Sequence, residues 1–105
     1  ANMKTYSGDR TIDGVIVLVD QARLLPDLGG AIFSDTGFEW GYDGPGPREL
    51  AYVILVDHLG DTNRAKVLVP RFVEGCIAKL DNEWSISSVD IEAVLKSPER
   101  TGQRA

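Results

Sequence analysis

A chain of 105 residues has the size of one domain and closes a single core without needing disulfides or metals. Its 43% hydrophobic and 26% charged residues describe a globular protein rather than a disordered one. A net charge of −5 and a pI near 4.7 weigh against nucleic-acid binding, which needs clustered Lys and Arg to displace counterions from phosphates.

The first residues, "ANMKTYSGDR", carry no apolar stretch of the kind a secretory signal requires. Ala1 and Asn2 precede Met3 and read as a tag remnant, so the folded domain is expected over 3–96 with a polar, frayed tail over 97–105. From Lys4 to Tyr42 the pattern is strand-like. "KTYS" and "VIVLV" form an antiparallel pair around a turn spanning Gly8 to Gly14, where Asp13-Gly14 is a strong hairpin signal. "ARLLP" prolongs the sheet or adds a third strand, and an irregular connection covers Asp27 to Thr36. "GFEWGY" then alternates Phe38, Trp40 and Tyr42 with Glu39 and Gly41, which predicts a short strand with one aromatic face.

Helical spacing takes over at Pro47, a residue suited to a first helical position because its missing N–H costs nothing there. Glu49 is expected in the first turn, against the positive end of the dipole. The run from Leu50 to Leu59 is apolar on most sides, which predicts a helix at the centre of the core, closed by Gly60. "LAYVILV" within it is much too short to span a bilayer. Asp61 is placed to cap a second helix, which Pro70 should kink or end before Phe72, Cys76, Ile77 and Leu80 resume the spacing. "SSVDIEAVL" supplies a last helix capped by Ser87 or Ser88, with Asp90 a weak capping-box partner. The fold class is therefore α+β: a small antiparallel N-terminal sheet packed on three to four C-terminal helices.

Candidate chemistry is sparse. One histidine and one cysteine cannot make a four-ligand zinc site, and the acids show no calcium-loop spacing, so neither a metal nor a cofactor is expected. Cys76 sits among Val73 and Ile77 and reads as a small core residue, in keeping with a cytoplasmic protein. His58 is the one residue able to centre a triad, but Asp57 beside it points about 100° away on a helix, and a histidine at a helix C-terminus is favourable through the dipole alone. Glu39 and Asp43 flank the aromatics and, as paired carboxylates, suggest acid–base work on a sugar; acids beside glycines are more often solvated turn formers. "GYDGPGPRE" opens a helix and carries Arg48, yet Pro45 and Pro47 remove two donors that a phosphate nest would use, and the acids repel an anion. Phe33, Phe38, Trp40, Tyr42 and Tyr52 suit base stacking only with interleaved cations, which are lacking, so they read as core.

The run "GFEWGYDGPGPRELA", Gly37 to Ala51, resembles the signature of a small prokaryotic family of domains of unknown function, Gly-Phe-Glu-Trp-Gly-Tyr-x-Gly-x-Gly-Pro-x-x-Leu-Ala. "YSGDR", "HLGD", Arg64-Ala65, Phe72, "IAKL" and "WSISSVDI" are similar as well, so the resemblance covers most of Met3 to Leu95. The chain departs from it in the Asp27 to Thr36 connection and at Pro70. The resemblance implies a setting in bacterial and archaeal genomes, plasmids and phages, and no activity or catalytic residue.

Three functional expectations follow, of which a nucleic-acid-linked role within a mobile element is disfavoured by the acidic charge. The first is a non-catalytic binding or interaction domain, engaging a protein partner, a second copy or a small ligand through Glu39, Trp40, Asp43 and Arg48, with no membrane partner. The alternative is a small enzyme acting on a nucleotide or sugar, which requires Glu39, Asp43, Arg48 and His58 to share one cleft.

Overall fold

The computed structural model describes residues 4–12, 14–20, 22–23 and 38–96. Its order is β1 (Thr5–Thr11), β2 (Gly14–Val19), β3 (Ala22–Arg23), α1 (Pro45–Leu59), α2 (Thr62–Gly75), a 3₁₀ turn (Ile77–Lys79), β4 (Glu83–Ser87) and α3 (Ser88–Lys96). The fold is α+β, as the pattern predicts: an N-terminal antiparallel sheet on three helices. The sheet gains its fourth strand from the C-terminal half, and the order is β3-β2-β1-β4. Ala1 and Asn2, the Asp27 to Thr36 connection, Phe33, the end of "ARLLP" and residues 97–105 lie outside the described residues.

Alternation along β1 sorts the sheet's two faces. Tyr6, Gly8 and Arg10 share the inner face, opposite Val19, Val17 and Val15 of β2, and Tyr6 and Gly8 oppose Ile86 and Trp84 of β4. Tyr6, Val17, Trp84 and Ile86 are buried there. Gly8 is needed for a steric reason: a Cβ on it would stand 2.4 Å from the Trp84 indole, which lies across that position. The turn placed over Gly8 to Gly14 is accordingly corrected. β1 stays in register as far as Thr11↔Gly14, because Gly8 makes room for a ring rather than bending the chain.

α1 is the central helix. Leu50, Ala51, Ile54 and Leu55 are all fully buried, and the helix ends on Gly60 in the left-handed conformation, whose N–H donates to Val56 O. The helix begins at Pro45, two residues before the predicted start. Neither proline objects, since the first four N–H groups of any helix lack an intrahelical acceptor. Glu49 is thereby moved from the first turn to the second, and it is buried.

α2 opens with the cap expected of Asp61, whose Oδ1 accepts from the N–H of Asn63 at 3.0 Å and of Arg64 at 3.1 Å. It does not stop at Pro70 but runs on to Gly75. Pro70 lies on the exposed face, while Ala65, Val69, Phe72 and Val73 form the buried stripe. The remaining apolar spacing is met by the 3₁₀ turn, which buries Ile77. At α3 the capping box is complete: Ser87 N–H donates to Asp90 Oδ2 at 2.9 Å, and Asp90 N–H to Ser87 Oγ at 3.2 Å. No described helix is long and apolar enough to cross a membrane.

Candidate functional site

The segment 38–42 is not the strand its alternation predicts. Phe38 and Trp40 are buried, Tyr42 is half exposed, and no ladder forms. Gly41 turns the chain at φ +89°, a region that disfavours side chains. Its N–H donates to Ile77 O at 2.9 Å. Isolated bonds to a turn and to side chains replace sheet pairing. The corner into α1 is then closed by contact: a Cβ on Gly46 would stand 2.9 Å from Glu39 Cβ.

Trp40 anchors this corner. Its Nε1–H donates to Asp81 O at 2.7 Å, and its ring meets Trp84 edge-on at 5.5 Å between centroids. Arg10 stacks over it, 5.0 Å from the ring centroid. Arg10 also donates through Nη1 to Asn82 Oδ1 at 2.6 Å, and through Nη2 to Glu39 Oε1 at 2.6 Å and Trp40 O at 3.1 Å. One guanidinium thus ties β1, the corner and the approach to β4 together, using the fork of donors that only arginine supplies.

A groove of about 870 Å³ opens beside this knot. Arg10, Glu39, Tyr42, Asp81, Asn82 and Glu83 contribute to its walls. Asp81 and Glu83 thus line the groove beside a guanidinium that is already held by Glu39. Among the described residues, neither Asp81 nor Glu83 has a side-chain ion pair. Asp43 and Arg48 sit further along the corner as a two-bond pair, Nε to Oδ1 at 2.9 Å and Nη2 to Oδ2 at 3.1 Å. The Arg48 hydrogen bonds hold the Asp43 carboxyl below the usual range.

The four residues of the enzyme reading do not share a cleft. Ten residues of helix, roughly 15 Å of axial rise, separate Arg48 from His58. His58 Nε2 pairs with Glu92 Oε2 of α3 at 2.5 Å, and that hydrogen bond lowers the Glu92 pKa. Asp57 turns to β1 instead, accepting from the Tyr6 hydroxyl at 2.6 Å and Lys4 Nζ at 3.0 Å. Burial first, then the bond to Asp57, pushes the Tyr6 pKa up. Cys76 packs half-buried against the core, and burial raises its thiol to about 11. Among the described residues no three His, Cys, Asp or Glu side chains gather as a metal site requires.

Of the residues singled out from sequence, Glu39 and Trp40 belong to the groove and the knot beneath it, whereas Asp43 and Arg48 neutralise one another. Arg10, Asn82 and Asp81 were missed. The available signal for Arg10 was its place on the Tyr6–Gly8–Arg10 face, where a cation at the end of an apolar row needs an acceptor. No curated protein matches the chain, and no solved structure does. Residues 6–97 do match the model of DUF6166, a family of unknown function, and the chain belongs to that family.

Proposed function

We propose that the protein is a small, non-catalytic interaction domain that engages a protein partner through the groove beside Tyr42. The observation that carries this reading is the charge of the groove: Asp81 and Glu83 stand exposed and, among the described residues, unpaired beside a guanidinium that is already engaged. Such a wall favours a partner presenting lysine or arginine, and it repels phosphate-bearing ligands. Tyr42, half exposed at the groove, supplies the aromatic surface that recurs at the energetic centre of protein interfaces. Trp40, Arg10 and Asn82 are already tied to one another and to Asp81 and Glu39 by hydrogen bonds, so little ordering of this part of the groove is required on association. The setting we take for this interaction is the cytoplasm of a prokaryotic cell, including cells that carry the phage or plasmid elements the family resemblance implies.

A photo-crosslinking residue in place of Tyr42, introduced in the host cell, tests the reading. It should trap one defined protein through a basic surface, and the double change Asp81→Lys, Glu83→Lys should abolish the trapping. Crosslinks that are diffuse, or that persist unchanged in the charge-reversed protein, would overturn it.

A further inference from the structure

Among the described residues, the strand that borders the groove has an unused side. Arg10 N–H donates to Asn82 O at 3.0 Å, and Ser88 N–H donates to Lys4 O at 2.9 Å. Trp84 and Ile86 fall in the same alternation, so their backbone groups face β1. The backbone N–H and C=O of Glu83 and Ser85 therefore point the other way. No described strand lies there, since β4 is the edge of the described sheet. Glu83 and Ser85 are both exposed. The next outward N–H, that of Ser87, is already taken by Asp90. Among the described residues the free edge is thus two residues long, bounded by the capping box at one end and by the groove at the other, with Glu83 belonging to both.

An open edge of this kind is a template for pairing, and proteins usually blunt it with a lysine, a proline or a bulge. β4, "EWSIS", has none of these and is protected only by its shortness and by one charge. Its one charged residue is Glu83, and Asp81 lies just ahead of it. Those carboxylates, together with the net charge of −5, make a second copy of this chain an unfavourable strand partner, because pairing would bring acidic edges together. A basic strand meets the opposite condition.

We propose that the β4 edge receives an extended, basic segment of the partner, which adds as a fifth strand and lays a lysine or arginine against Glu83 and Asp81. This rests on the groove reading and specifies its geometry. Backbone hydrogen bonds to Glu83 and Ser85 supply affinity, and period-2 placement of cations supplies specificity.

The probe is a phage library of random decapeptides selected on the intact protein, with the enriched peptides resynthesised. Enriched sequences should carry lysine or arginine at every second position. Methylating the backbone nitrogens on one edge of such a peptide should weaken binding tenfold or more, while methylation on the other edge should leave it unchanged. Ser85→Pro removes an outward N–H and no ladder bond to β1, at a position where an edge strand tolerates proline. It should weaken the same peptide to a similar degree, with the far-ultraviolet circular dichroism and the melting temperature unaltered. If basic peptides bind and respond to Asp81→Lys, Glu83→Lys but ignore both methylation patterns, the groove reading stands and the edge inference is overturned. Selection of acidic, proline-rich or no peptides overturns both. So does dimerisation through β4, seen as Ser85→Cys cross-linking to itself.

Discussion

The two ends of α1 carry similar chemistry and use it differently. At the C-terminal end, Lys4 pairs with Asp57 and His58 with Glu92, and Tyr6 donates to Asp57 from a fully buried position. Every charge named there has a partner on another element, so the cluster staples β1 and α3 to the helix. At the N-terminal end Arg10 satisfies Glu39, Asn82 and the Trp40 carbonyl at once, but Asp81 and Glu83 remain outside the knot. The first arrangement is closed. The second is a closed knot with an acidic rim left over, and a surplus of that kind is what a recognition surface requires. Charge clusters therefore separate into architecture and candidate site by whether their partners are complete.

The strongest way to break this comparison is to remove the centre of the knot. Trp40→Ala deletes a fully buried indole together with its bond to Asp81 O, and should cost about 3–5 kcal/mol in urea denaturation. A cost below about 1 kcal/mol, less than even a partial cavity entails, would mean that the corner is not architecture. At the other end, Tyr6→Phe removes a hydroxyl that donates to a carboxylate and should cost about 1.5–3 kcal/mol. Asp61, just beyond the C-terminal end of α1, hydrogen-bonds to neither cluster, and Asp61→Ala is the control. It should cost about 1 kcal/mol through the lost cap of α2, which gives a scale against which both are read.

The C-terminal staple also predicts a pH dependence. The His58 hydrogen bond lowers the Glu92 pKa below its ordinary 4.5. A depressed carboxyl contributes stability that is fully present above its unfolded value and is lost as pH falls through the folded one. Urea midpoints should therefore fall as pH drops below about 4.5, and Glu92→Gln should flatten part of that acid arm. Glu92 is partly exposed, so the effect is smaller than those of the buried substitutions.

The helices were legible because their signals are local. Asp61, Gly60 and Ser87 each act within four residues, and the buried stripe of α2 follows the 3.6 period. The alternative that Pro70 ends the helix fails for a physical reason. The exposed position of Pro70 allows the packed opposite face to carry the helix through, whereas the intrinsic penalty describes an unpacked one. The "GFEWGY" alternation misleads because period 2 also results when a chain is pinned alternately by a core and by side chains. β4 is hidden because five residues between a turn and a cap give too little pattern, and its partner β1 lies more than seventy positions away in the chain. The groove is out of reach for the same reason. Arg10, Glu39 and Asp81 come from three distant segments, brought together by the β1–β4 pairing and by the bonds of Arg10 and Trp40 across the corner.

The smallest expected effect is the one that sharpens the comparison most. If the acidic rim is surplus to the fold, Asp81→Lys, Glu83→Lys should change stability by no more than about 0.5 kcal/mol, as exposed substitutions away from caps and cores do. Trp40 uses the Asp81 carbonyl and not its carboxylate, so the backbone contact survives the change. Reversing the same number of charges at the closed end, with Asp57→Lys and Glu92→Lys, sets one new ammonium beside Lys4 and the other beside His58, and should cost well over about 1 kcal/mol. Near-equal costs at the two ends would show that Asp81 and Glu83 hold the sheet edge in place, and the rim would then belong to the architecture. A neutral rim beside a costly staple leaves the acidic residues with no role in holding the chain, which is the condition that the proposed recognition surface requires.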